Sequence, residues 1–120
     1  MPLAILAYHS HHDVGPGYGE NDHVAFARDL DGLTDAHWRI VPLADLVRAH
    51  REGVSERLVA LTFDDGPVYD VEDVVHPDYG LQRGFANAMR AFAARRPGAQ
   101  PSLHATSFVI ASPEARFAME

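Results

Sequence analysis

A chain of 120 residues, 47% apolar and 22% charged, is long enough for one hydrophobic core, too short for two, and neither disordered nor fibrous in character. Its formal charge of -7 argues against a nucleic-acid or anionic-membrane partner. Cysteine is absent and all 10 basic residues are arginine, which excludes disulfides, thiolate chemistry, Cys-type zinc sites, lysine Schiff bases and the lysine of a phosphate-binding loop.

In chain order, Pro2-Leu3-Ala4-Ile5-Leu6-Ala7-Tyr8 reads as a buried strand. It lacks the basic start of a signal peptide and is too short to span a membrane, so a soluble, cytoplasmic chain is expected. His9-Ser10-His11-His12-Asp13 follows, and then the turn-rich Val14-Gly15-Pro16-Gly17-Tyr18-Gly19. Imidazoles are common ligands for zinc and similar cations, so histidines at a strand end are candidates for a metal or substrate rim. The alternative for His11 and His12 is a hydrated polar loop that binds nothing. Asn21 or Asp22 offers an N-cap, and Val24, Ala27, Leu30 and Leu33 recur at the spacing of a helix's buried stripe, with Arg28, Asp29 and Asp31 on the solvated side. Residues 38–43 read as a short second strand. Residues 44–52 read as a second helix with Leu43, Leu46 and Val47 inward and Gly53 as C-cap.

Leu58-Val59-Ala60-Leu61-Thr62-Phe63 is an apolar, β-prone run that stops at Asp64-Asp65-Gly66-Pro67, the pattern of a strand buried on both faces of a parallel sheet. Such sheets bind ligands at the carboxyl ends of their strands, where Asp64 and Asp65 sit. Successive side chains of a strand point to opposite faces, so one aspartate can hold a cation while the other accepts a proton. The alternative is a capped turn. Residues 68–83 carry four acidic groups, Tyr69 and Tyr79 and no clear period, and read as a long loop: a lid, one wall of a groove, or merely a solvated surface. Residues 81–96 read as an amphipathic helix with Phe85, Ala88, Met89 and Phe92 inward and Arg95 and Arg96 suited to its C-terminal dipole. Residues 102–110 read as the fourth strand, and Ser112-Pro113-Glu114 as the start of a helix. Alternating strands and helices predict right-handed βαβ units.

Thr62-Phe63-Asp64-Asp65-Gly66-Pro67 resembles the first signature motif of the polysaccharide deacetylase family (carbohydrate esterase family 4, the NodB-homology domain). Ile5-Leu6-Ala7-Tyr8-His9 resembles that family's first strand, and Ala105-Thr106-Ser107-Phe108-Val109-Ile110 the strand usually written A-T-F-F-V. The resemblance runs from Ile5 to Ile110. It implies an α/β fold that is the amino-terminal portion of a distorted β/α barrel, with about four parallel strands and intervening helices.

The activity it implies is metal-dependent removal of N-acetyl groups from a polysaccharide or related amide. Asp65 would hold a divalent ion, zinc by preference, together with two histidines. Asp64 would be the general base, and a histidine from farther along would protonate the leaving amine. His9 would border the substrate pocket; the 68–83 loop, whose wording resembles an uncharacterised branch of the family, would on its own reading as a groove wall stack Tyr69 and Tyr79 on sugar rings. The family's second motif, His-Ser/Thr-x-x-His (or Asp), follows the first in the chain. His9-Ser10-His11-His12-Asp13 fits it loosely but precedes Asp64-Asp65, and is read as a chance overlap. Four strands stand against roughly seven or eight in such a barrel, so residues 1–120 read as a single partial domain that stops before the second motif and is incomplete and inactive alone, unless His9, His11 or His12 substitutes. An open sheet also predicts association with another copy. The competing reading is a non-catalytic carbohydrate-binding or regulatory module that keeps the fold.

Overall fold

The run Leu58–Asp65 is the central strand of the molecule, and its residues 58–63 are all buried. The computed structural model describes residues 3–119; Pro2, expected to open the first strand, lies outside them. The elements are β1 (Leu3–Tyr8), α1 (Asp22–Asp35), β2 (Arg39–Ile40), α2 (Leu43–Glu52), β3 (Leu58–Asp65), β4 (Val74–His76), β5 (Gly80–Gln82), α3 (Phe85–Arg95), β6 (Ala105–Val109) and α4 (Pro113–Met119). β1 runs parallel to β3 from Leu3 beside Leu58 to Tyr8 beside Phe63. The other edge of β3 is shared: β2 pairs with Leu58 and Val59, and β6 pairs from Leu61 beside Ala105 to Asp65 beside Val109. The chain is thus mixed α/β around a parallel sheet, and β1, β3 and β6 all end at one rim.

Period-two alternation sends β3 to two cores. Val59, Leu61 and Phe63 join Tyr8 of β1 and the helices α1 and α3, while Leu58 and Ala60 join Leu46 and Ala49 of α2. In the larger core the Phe26 ring lies 4.9 Å from Tyr8, 5.3 Å from Phe63 and 5.1 Å from Phe85. These separations and tilts suit aromatic quadrupoles. The Tyr8 hydroxyl donates to Asp29 Oδ2 at 2.7 Å. Burial first, then that bond, raises the Tyr8 phenol well above its ordinary value, so it remains a donor.

Helix α1 starts where expected: the Asn21 side chain accepts from the backbone N–H of His23 and Val24. Its buried face differs from the expected stripe. His23, Ala25, Phe26 and Leu30 are buried, Leu33 packs against the same core, and Ala27 is exposed. Phe26 carries far more apolar surface than Val24 or Ala27, so burying it turns the helix by about one position. In α2, Leu46 and Ala49 are buried but Val47 is 42% exposed, and Gly53 closes the helix in the left-handed conformation at φ 68°. Arg95 and Arg96 pair with α1, through Asp31 at 2.7 and 3.0 Å and Asp35 at 3.0 Å.

The long loop expected over 68–83 is not structureless. A single 3-10 turn at Val68–Asp70 precedes the antiparallel pair β4–β5, and α3 begins at Phe85, four positions later than its apolar pattern suggests. The delay has a steric cause. Gly80 turns the hairpin at φ 76°, and Gly84 lies so close to Glu72 that an added Cβ would fall 2.5 Å from the Glu72 carbonyl oxygen. The Gly84 N–H donates to Asp73 Oδ1 at 2.8 Å, which fixes the entry to α3.

Strand β2 is short because Pro42 follows, and its edge away from β3 is completed by a side chain. Buried Gln100 accepts from the Ile40 N–H and donates to the Trp38 carbonyl, both at 2.9 Å. Gln100→Ala would orphan the Ile40 donor, and a loss of about 1–3 kcal/mol is expected in urea unfolding; an unchanged midpoint would show that water replaces the glutamine. Among the described residues no helix is long and apolar enough to cross a membrane.

Candidate functional site

Rim residues follow directly from strand alternation. Asp64 faces the α2 side with Leu58, Ala60 and Thr62, whereas the charge of Asp65 acts on Asp70. Asp65 and Gly66 both take positive φ, 77° and 72°. Aspartate tolerates this region better than most side chains. Gly66 is required on a second count, because an added Cβ would lie 2.9 Å from a Val109 methyl. The turn is clamped from outside: Ile110 N–H donates to the Asp65 carbonyl at 3.2 Å, and Arg116 Nη1 donates to the Asp65 and Gly66 carbonyls at 3.2 and 2.9 Å.

On the first face, His9 Nε2 lies 3.3 Å from Asp64 Oδ2, with the two side chains 48% and 37% exposed. The pair is open to solvent and to a substrate. Asp22 holds His9 in place by accepting its backbone N–H at 2.7 Å on one oxygen, while the other lies 2.7 Å from His12 Nδ1. Phe108 is the β6 partner of Asp64 and is 49% exposed. Neighbouring residues of a parallel pair point to the same face, so an apolar ring stands beside the His9–Asp64 pair. Ile5, 56% exposed, extends that face along β1.

The second face holds a different set of groups. Asp65 lies near Asp70, which the 3-10 turn carries inward, and the hydroxyls of Ser10 and Ser107 approach the same carboxylate. Neither Asp70 oxygen reaches a hydrogen-bonding partner, and neither does Ser10 Oγ. Burial pushes the Asp70 carboxyl above its usual range, while Ser10, the charge of His23 and Ser107 pull the other way. The His23 ring makes no bond to it: its nitrogens face the carbonyls of Ser10 at 2.9 Å and Arg83 at 3.0 Å.

The histidines singled out in the sequence therefore separate. His9 meets Asp64 and His12 meets Asp22, whereas the His11 ring sits edge-on to Tyr69 with centroids 5.9 Å apart. Tyr79 stacks on His76 at 4.2 Å and donates its hydroxyl to the Val14 carbonyl at 2.8 Å. Tyr69 thus stands over the histidine loop, and Tyr79 ties the β4–β5 hairpin to the glycine-rich loop. Among the described residues no three histidine, cysteine, aspartate or glutamate side chains gather where they could hold a metal ion. The hydroxyls that approach Asp70 are oxygen donors, and its orphaned buried carboxylate suits a cation there.

Sequence reasoning missed Asp22, Asp70, Ser10, Phe108 and Arg116. Phe108 could have been found by pairing the Asp64 strand with the Ala105 strand in register. Asp70 gave no such signal, since it sits in an acidic stretch that reads as solvated. No family model, curated protein or solved structure matches the chain.

Proposed function

We propose that the chain carries the base side of a metal-assisted amide hydrolase that removes N-acetyl groups from a carbohydrate, in keeping with the resemblance of its Asp-Asp-Gly-Pro turn to the polysaccharide deacetylases. The observation that carries this reading is the His9–Asp64 pair, 3.3 Å apart at the carboxyl rim of the sheet. On this reading the sheet is the beginning of a β/α barrel. Asp64 takes a proton from the attacking water as the water oxygen bonds to the acetyl carbonyl carbon. The C–N bond then breaks, the amine leaves with that proton, and acetate is the second product. His9 orients the Asp64 carboxylate, and Phe108 offers its face to a sugar ring. A divalent ion at Asp65 would polarise the acetyl carbonyl and lower the pKa of its bound water.

Acetate release from a chitin oligosaccharide tests this, with the chain alone and with imidazole added to replace the histidines that do not reach Asp65. Release that imidazole raises and a chelator abolishes is the expected result. Sugar binding that ignores chelator, with no acetate in either condition, would favour the second reading, a carbohydrate-binding module. The exposed ring of Phe108 and the separated histidines are what speak for that alternative.

A further inference from the structure

Asp70 is a carboxylate with no reason to be where it is. It is 4% exposed and both oxygens lack a hydrogen-bonding partner; Ser10 is fully buried and its hydroxyl is also unpartnered. Buried polar groups are almost always satisfied, and an unsatisfied one calls for a missing ion, water or ligand. A second carboxylate, Asp65, stands nearby, and its charge adds to the cost of ionising Asp70. Among the described residues Asp70 forms no ion pair with an arginine. The charge of the His23 imidazole reaches Asp70, and both its ring nitrogens lie against backbone carbonyls.

We infer that Asp65 and Asp70, with the hydroxyls of Ser10 and Ser107, form an oxygen-only site for a hard divalent cation such as Mn²⁺, Mg²⁺ or Ca²⁺. This rests on the reading of Asp65 as a metal ligand but changes the company it keeps. Ser10 follows β1, Asp65 ends β3, Ser107 lies in β6 and Asp70 closes the 3-10 turn, so the cation would tie together the carboxyl ends of the three long parallel strands. Carboxylates and hydroxyls suit hard cations, whereas zinc draws most of its preference from imidazole and thiolate. His9 and His12 each pair with a different aspartate, so neither is committed to this site.

The test uses the whole chain freed of metal by chelator and then dialysed, with Mn²⁺, Ca²⁺ and Zn²⁺ each titrated alone by calorimetry and free Mn²⁺ followed by its paramagnetic resonance. Mn²⁺ or Ca²⁺ binding is expected, weakened about tenfold or more in Asp70→Asn and unchanged within about twofold in His9→Ala. The same ions should raise the melting temperature of wild type and not of Asp70→Asn. In chelator, Asp70→Asn should melt no lower than wild type, because it removes an unpaired buried charge and keeps the shape. Absence of Mn²⁺ and Ca²⁺ binding at millimolar concentration, equal affinity in Asp70→Asn, loss of binding in His9→Ala, or a lower melting temperature of Asp70→Asn in chelator would each overturn the site. None of these readouts involves acetate, so failure of the hydrolase reading and failure of this site are told apart.

Discussion

Phe26→Ala is expected to destabilise the fold by about 3–5 kcal/mol, the range for removing a fully buried aromatic ring whose cavity cannot collapse. Phe26 is 0% exposed and touches the rings of Tyr8, Phe63 and Phe85, so three neighbours lose contacts at once. A domain of this size has a total stability of about 5–15 kcal/mol, and each kcal/mol moves the melting temperature by roughly 4 °C or somewhat more. A thermal melt should therefore show a fall of about 12–20 °C. A fall of under about 4 °C would mean that the site relaxes around the cavity, and that the aromatic cluster is not the principal core. The consequence reaches the rim, because Tyr8 and Phe63 directly precede His9 and Asp64. A softened core would loosen the pair before the chain unfolds globally, and Phe26→Leu, which refills most of the volume, should recover much of the loss.

Asp64→Asn is expected to lower imidazole-supported acetate release by about 10²–10⁴-fold, the contribution of a positioned general base. The substitution keeps shape and removes the proton acceptor. Asp64 is partly exposed and among the described residues its close polar partner is His9, so the melting temperature should barely move: substitutions at exposed sites usually stay within about 0.5 kcal/mol. The informative pattern is the separation of the two readouts, rate lost and fold kept. A variant that retained wild-type release would show that Asp64 is not the base. A variant that lost stability and release together would instead point to turn capping. On the hydrolase reading His9 orients the carboxylate without taking the proton, so His9→Ala should lower release less than Asp64→Asn. Asp22→Ala should resemble His9→Ala, because Asp22 holds the His9 backbone.

Local pattern was sufficient for much of the fold. The apolar runs of β1 and β3, the Asn21 cap, the Gly53 C-cap and the Phe85, Ala88 and Phe92 stripe are set by residues close together in the chain, and each lies where its own propensity and period place it. The position of Asp64 and Asp65 at the carboxyl rim was legible for the same reason, since a buried parallel strand can end in only one place relative to its neighbours. Contacts across long stretches of chain were not legible. Asn21 bonds Gln82 and Ile40 bonds Gln100 across 61 and 60 positions, and neither pairing has a sequence period. The face of α1 was decided by the volume of Phe26 competing with a regular stripe, and the β4–β5 hairpin by glycines whose neighbours lie elsewhere in the fold.

The site divides in the same way. Residue type and spacing by themselves determined that two carboxylates and a histidine loop end on one rim. Only the tertiary structure decided that His9 goes to Asp64, that His12 goes to Asp22, and that Asp70 turns inward toward Asp65. Side chains at a strand end are distributed by the faces of the sheet and by what packs on each face, and that packing is a property of the folded chain as a whole.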